Sequence, residues 1–270
     1  MVIKTKAPRW YSWKNGVIEP CYELPKKTGG GMKAYSLREA RELHLLPSVT
    51  SVLSVIDKPE LDNWRVSQAI HSALTLPRLP DEGEDAFADR VLADAEAQAN
   101  KAAEFGTRIH DAIAAYMIAD MKGGTHQTMD HALLPYLEPF YAWAMENIEQ
   151  VHGVEVCVGH PSIGVAGRMD LRCTLKGLGM AVVDFKSQNI KNEKPSFWGD
   201  WPIQLACYRR LDGYGSKSEC RIVSMVIPSN EPGPVHVNVW DESRVNYMDL
   251  FNAALEIWIY TRGNGYDPRH

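Results

Sequence analysis

Three residues of this 270-residue chain carry the most direct chemistry: Asp170, Asp184 and Lys186. Two carboxylates offer the hard oxygen ligands that Mg²⁺ accepts, an ion that keeps several waters and needs only one or two protein carboxylates. An ion held there makes a bound water more acidic and draws charge from phosphoryl oxygens. A lysine within reach orients the attacking water, or offsets charge growing on a phosphorane-like transition state. The set suits hydrolysis of a phosphodiester. Taken alone, Asp-x-Lys equally describes a surface ion pair closing a strand, so the neighbouring residues must decide.

Over residues 165–173, Val165, Gly167, Met169, Leu171 and Cys173 alternate with Ala166, Arg168, Asp170 and Arg172. A strand has period two, so Asp170 falls on the polar face and the apolar set is expected on one core face. The next strand runs into Asp184-Phe185-Lys186, which puts Asp184 and Lys186 on one face and Phe185 on the other. If the two strands pair as a hairpin, Asp170 and Asp184 converge at one end beside Lys186. Two crowded carboxylates repel each other, so alanine at Asp184 or Lys186 is expected to abolish turnover and leave stability unchanged or slightly raised.

Around this core the spacing continues. Glu155 lies ahead of Asp170, Gln204 and Tyr208 follow at i,i+4 on a predicted helix, and Gly106 precedes His110 on another. In this order and spacing the residues resemble the RecB-like exonuclease branch of the PD-(D/E)XK nuclease superfamily. That branch strings together G-x-x-x-H, E, G-x-x-D, (D/E)-x-K and Q-x-x-x-Y. Leu46-Pro47-Ser48-Val49-Thr50 and Trp64-Arg65 are also similar to phage and mitochondrial genome-maintenance exonucleases. The resemblance covers about residues 46–208 and leaves both ends of the chain unmatched.

What it implies is specific. Asp170, Asp184 and the Phe185 carbonyl are metal ligands, with His110 as a second metal or phosphate ligand. Lys186 is the catalytic lysine and Glu155 a metal-site or supporting carboxylate. Gln204 and Tyr208 line the site and position backbone phosphate. The cofactor is Mg²⁺, with Mn²⁺ as substitute. No cysteine follows Cys220, which speaks against the iron–sulfur cluster of some relatives. The partner is DNA, single-stranded or at a strand end, with a recombination or single-strand-binding protein as a further partner. The expected activity is exonucleolytic; an endonuclease on the same core, or a nucleic-acid-binding accessory protein that has lost catalysis, are the alternatives.

The elements that must position these groups read as a helical N-terminal half followed by a βββαββα unit. Short strands or a hairpin are expected within residues 9–35, and short helices over 36–43 and about 48–56. Longer helices follow over 60–74, 85–121 and 131–149. Strands come next over 154–159, 165–175 and 180–186, then a helix over 201–211, strands over 221–227 and 235–240, and a closing helix over 241–261. The fold class is α/β: a restriction-endonuclease-like core, a mixed β-sheet flanked by helices, with a helical N-terminal elaboration. We divide the single domain 1–270 into an arm and elaboration (1–100) and a core (101–270).

Composition narrows the class. No apolar run approaches the roughly 20 residues of a bilayer span, and the basic, Pro8-containing start lacks a signal-peptide apolar region. Five scattered cysteines without a C-x-x-C pair suit reduced thiols in a cytoplasmic protein, bacterial or phage-encoded. A net charge of −5 sits awkwardly with a polyanionic partner, but residues 1–41 hold nine Lys or Arg against three acidic residues. Lys26, Lys27 and Lys33 around Gly29-Gly30-Gly31 therefore form either a phosphate-tracking arm or a solvated tail. Trp198 and Trp201 either stack on unpaired bases or pack the following helix onto the sheet.

Overall fold

The computed structural model describes residues 8–26, 30–123, 130–190, 194–215 and 219–270. The chain opens with a hairpin of β1 (Trp10–Lys14) and β2 (Val17–Cys21). Asn15 and Gly16 both take positive φ (51° and 82°), as a two-residue hairpin turn requires. A two-stranded ribbon of β3 (Leu24–Pro25) and β4 (Met32–Lys33) precedes α1 (Leu37–Glu42), which is started by a reciprocal capping box between Ser36 and Glu39. β5 (Leu46–Pro47) returns to pair with β1, and Ser48 caps α2 (Val49–Val52), which runs on as a 3₁₀ turn through Val55.

Two long helices follow, α3 (Pro59–Thr75) and α4 (Glu84–Met121), tied by a 2.8 Å hydrogen bond from Ser72 to Asp94. Because α4 passes residue 100 unbroken, the elaboration and the core share one helix. A 3₁₀ turn at His131–Leu133 leads into α5 (Leu134–Asn147). The remaining elements are β6 (Ile148–His160), β7 (Val165–Leu175), β8 (Gly179–Gln188), α6 (Trp201–Leu211), β9 (Arg221–Pro228), β10 (His236–Val239) and α7 (Tyr247–Thr261).

Among the described residues, five strands form the main sheet in the order β10-β9-β8-β7-β6. Its pairings are antiparallel except β8–β9, which are parallel and joined through α6. The sheet is thus mixed and covered on both faces, which matches the continuous burial of residues 181–185 in β8 and 222–228 in β9. One face packs on α4 and α5 through Ile109, Ile113, Leu137 and Phe140. The other packs on α2, α6 and α7 through Val49, Leu205, Phe251 and Trp258.

The expectation that Val165 to Cys173 line one core face needs correction. Gly167 lies under the Tyr208 ring of α6, and Arg172 also reaches the α6 side, 2.7 Å from Asp212. Positions five apart cannot share a face in a regular strand. Met169 accordingly belongs to the α6–α7 core and Leu171 to the α4–α5 core. The change of face occurs at Asp170, opposite Glu155, whose φ of +52° interrupts β6. Periodicity cannot anticipate this, because the irregularity sits on the partner strand.

Two helix ends also differ. The 131–149 helix stops at Asn147 because Ile148 already pairs with Leu175. The last helix starts at Tyr247, capped by Asn246, while Asp241 is spent on a turn with Ser243. The N-terminal sheet, finally, leans on the chain's last turn. Trp10 packs edge-on against Trp258 at 6.2 Å, and the Tyr266 hydroxyl donates to the Leu45 carbonyl at 2.8 Å. The Arg41 guanidinium donates to the carbonyls of Gly263 and Asn264.

Candidate functional site

His110, Glu155, Asp170, Asp184, Phe185, Lys186, Gln204 and Tyr208 all line one cavity of about 360 Å³. They come from α4, β6, β7, β8 and α6. The opening exists because β7 and β8 part company: their pairing ends at Leu171↔Val183, one residue short of both aspartates. The freed Phe185 N–H donates instead to Asp170 Oδ2 at 2.8 Å, which fixes that carboxylate at the split.

Two glycines set the approach of the helices. A Cβ at Gly106 would meet Ser187 Oγ at 2.5 Å, so α4 crosses β8 closely one turn before His110. A Cβ at Gly167 would lie 2.4 Å from Tyr208 Cε1, so the missing side chain is the seat of the Tyr208 ring. The small residues of the G-x-x-x-H and G-x-x-D patterns therefore have steric work to do.

The cavity has two ends. At one, His110, Glu155 and Asp170 each bring a ligand atom, all within 4.8 Å of one another. His110 Nδ1 stands 3.6 Å from Asp170 Oδ2, too long for a hydrogen bond but suited to a shared ion. Arg168 Nε lies 2.6 Å from Glu155 Oε2, aligned as an ion pair rather than a hydrogen bond. Burial, reinforced by the Asp170 charge, still pushes the Glu155 carboxyl up to about 7. Asp111, also on the wall, is pushed upward by burial.

At the other end Asp184 is 3% exposed and ion-paired with Lys186. Burial raises the Asp184 pKa although Lys186 opposes it. Burial lowers the Lys186 pKa while Asp184 and Asp170 lift it, with a net rise, so the lysine is held as the ammonium. Gln204 Nε2 donates to Asp184 Oδ1 at 3.3 Å and to the Tyr208 hydroxyl at 3.2 Å. The spacing of Gln204 and Tyr208 thus describes a clamp on Asp184. The cation-ligating geometry favours His110, Glu155 and Asp170, and Asp184 joins this set only if Lys186 releases it.

The expected grip residues that the structure describes do not line this cavity. Trp201 is 4% exposed and packs in the core with the Lys186 ammonium 5.7 Å above its ring, so it supports the lysine and offers no face to a base. Trp198 is partly exposed and tilts against Trp201 at 5.6 Å. Lys33 is committed to Glu39 at 2.5 Å, and that bond holds the Glu39 carboxyl down at about 2. Its part in a basic arm is corrected accordingly. Lys26 is exposed, and Lys27 lies outside the described residues.

The cavity also contains Tyr11, Ser48, Thr50, Thr107, Asp111 and Arg168, none of them in the sequence pattern as a site residue. Arg168 had a signal, two residues before Asp170 on the polar side of β7. Tyr11 had none, since tertiary pairing far along the chain, including the β1–β5 ladder and the Ser48↔Ala166 bridge, brings it to the core. No helix among the described residues is long and apolar enough to cross a membrane. No protein-family model matches the chain, and no curated protein matches it.

Proposed function

We propose that this protein is a divalent-cation-dependent nuclease with the PD-(D/E)XK residue pattern and a restriction-endonuclease-like core, hydrolysing DNA phosphodiesters from a strand end. The observation that carries the reading is the cavity itself. It collects the seven polar residues of the pattern together with Phe185, with three ligand groups at one end and the Lys186 ammonium at the other.

The donor set fits such an ion. Two carboxylates and an imidazole suit Mn²⁺ or Mg²⁺ better than a soft metal. Burial, reinforced by the Asp170 charge, lifts Glu155, and a cation placed between the two carboxylates would relieve that lift. His110, Glu155 and Asp170 would hold the cation, which when bound supplies an acidic water and polarises a phosphoryl oxygen.

The rest of the work falls to the chain. Lys186, braced by Asp184 and the Trp201 ring, presents a fixed ammonium to an anionic phosphate. Gln204 and Tyr208 keep Asp184 turned toward that lysine, and the Phe185 N–H keeps Asp170 turned toward His110. Such preset groups need no reorganisation when charge develops.

The test is digestion of end-labelled linear and closed circular DNA, single- and double-stranded, in Mg²⁺, Mn²⁺, Ca²⁺ and EDTA. Linear DNA should shorten progressively in Mg²⁺ or Mn²⁺, while circles survive and Ca²⁺ or EDTA stops the reaction. Undiminished cleavage in EDTA sinks the metal dependence. Efficient nicking of circles turns the reading to an endonuclease, and inertness toward every DNA turns it to a binding protein.

A further inference from the structure

Tyr11 enters the cavity from β1, outside the residue pattern altogether. Its ring is 1% exposed and packs with Leu46 and Ala166, so the side chain is fixed in place. Buried phenol and indole groups normally find partners, because an unmet donor forfeits its hydration. Two partly buried aromatic donors of this protein are met in that way: Tyr266 donates to the Leu45 carbonyl and Trp240 to Ser224 Oγ. The Tyr11 hydroxyl has no hydrogen-bond partner among the described residues, and the cavity is what it opens onto. Thr50 lines the same wall with an exposed side chain, its Oγ1 3.1 Å from Ser48 Oγ.

We propose that the Tyr11 hydroxyl, assisted by Thr50, is a substrate-positioning donor that holds a non-bridging phosphate oxygen of the bound strand next to the scissile bond. The proposal rests on the nuclease reading and deepens it. A phenol is a donor at neutral pH, and a phosphate oxygen is the charged acceptor that makes such a bond short and strong. Arg168 also lines the cavity and brings positive charge to it, ion-paired with Glu155. The N-terminal hairpin is then a wall of the binding site, and a nucleic acid lying in the cavity is gripped between β1 and α6.

The experiment compares the parent with Tyr11→Phe and Thr50→Val, each checked by thermal melting. Affinity for a fluorescein-labelled oligothymidylate is measured in Ca²⁺, and cleavage at saturating DNA in Mg²⁺. Tyr11→Phe should raise Kd about tenfold and Thr50→Val about threefold, with kcat within about twofold of the parent. Parental Kd in both variants overturns the proposal. So does a fall in kcat at unchanged Kd, because the hydroxyl would then serve the reacting atoms rather than bind. If Tyr11→Phe melts too low to assay, Thr50→Val decides by the same measurements. A parent that neither binds nor cleaves DNA fells the nuclease reading and this proposal together. A parent that cleaves while both variants match it fells this proposal alone.

Discussion

The two ends of the cavity treat their carboxylates in opposite ways. Asp170 keeps a side chain 15% exposed and faces His110 and Glu155, a cluster whose negative charge is incompletely answered. Asp184, with a side chain 4% exposed, is ion-paired with Lys186 and held there by Gln204. The first end brings three ligand atoms together and the second holds an ion pair. Stability and activity should therefore separate differently at each end, and the expectation that alanine at Asp184 or Lys186 spares the fold does not survive the buried pair.

The largest effect should come from breaking the clamped end. Lys186→Met leaves Asp184 buried beside an apolar chain, and we expect a loss of about 3–5 kcal/mol along with all activity. The double variant Asp184→Asn, Lys186→Met should recover most of the stability and none of the activity. Denaturant titration checks both; a single variant as stable as the parent would erase the contrast between the ends.

Next in size is Gly167→Ala, whose methyl would press on the Tyr208 ring. An overpacked, rigid neighbour gives an expected cost of about 1–3 kcal/mol. The matching change at the open end, Gly106→Ala, meets only the Ser187 hydroxyl, which can rotate, and gains about 1 kcal/mol of helix propensity. Its stability should stay near the parent's, and a larger loss at Gly106 than at Gly167 would reverse the ranking.

The open end should announce itself in pH. The Glu155 pKa is raised in the fold from 4.5 to about 7, so its contribution to stability is fully present below about 4.5 and is lost as pH climbs through about 7. Metal-free protein should melt progressively lower across that window, Glu155→Gln should flatten the fall, and Mn²⁺ should restore the parent at the alkaline side. A parallel fall in Glu155→Gln would assign the effect to another group.

The smallest effect concerns the outer surface, where Lys33 is answered and Lys26 is exposed. Lys33→Ala should leave the log–log salt dependence of single-strand binding unchanged, whereas Lys26→Ala should flatten it by about 0.7. Equal slopes in the two would mean that the basic arm is only a solvated tail.

Much of this was legible in the chain. The strand at Val165–Leu175 and the helix at Trp201–Leu211 were readable to the residue, because one alternates cleanly and the other opens with Pro202 and closes on Arg209-Arg210. The seven polar pattern residues were readable as a group through their order. The change of face at Asp170 was not, since it depends on a left-handed Glu155 on the adjoining strand. The fate of Trp201 was open because an aromatic near a helix start looks alike in sequence whether it packs or stacks. Tyr11 was invisible, because its place is decided by β5 and α2, far along the chain.

The contacts of Trp10, Arg41 and Leu45 with Trp258, Gly263 and Tyr266 carry a consequence for biosynthesis. A ribosome delivers residues in order, and these partners are separated by more than two hundred of them. The strand bearing Tyr11 must wait for the far end of α7 before its outer side is covered, whereas the β6–β7–β8 hairpins can close as they emerge. A nascent chain therefore completes its acidic cluster early and the Tyr11 wall of the cavity late. Chains stopped before Trp258 should be nicked by protease within residues 10–47 far faster than the full chain, and equal protection would show that the wall closes without its buttress.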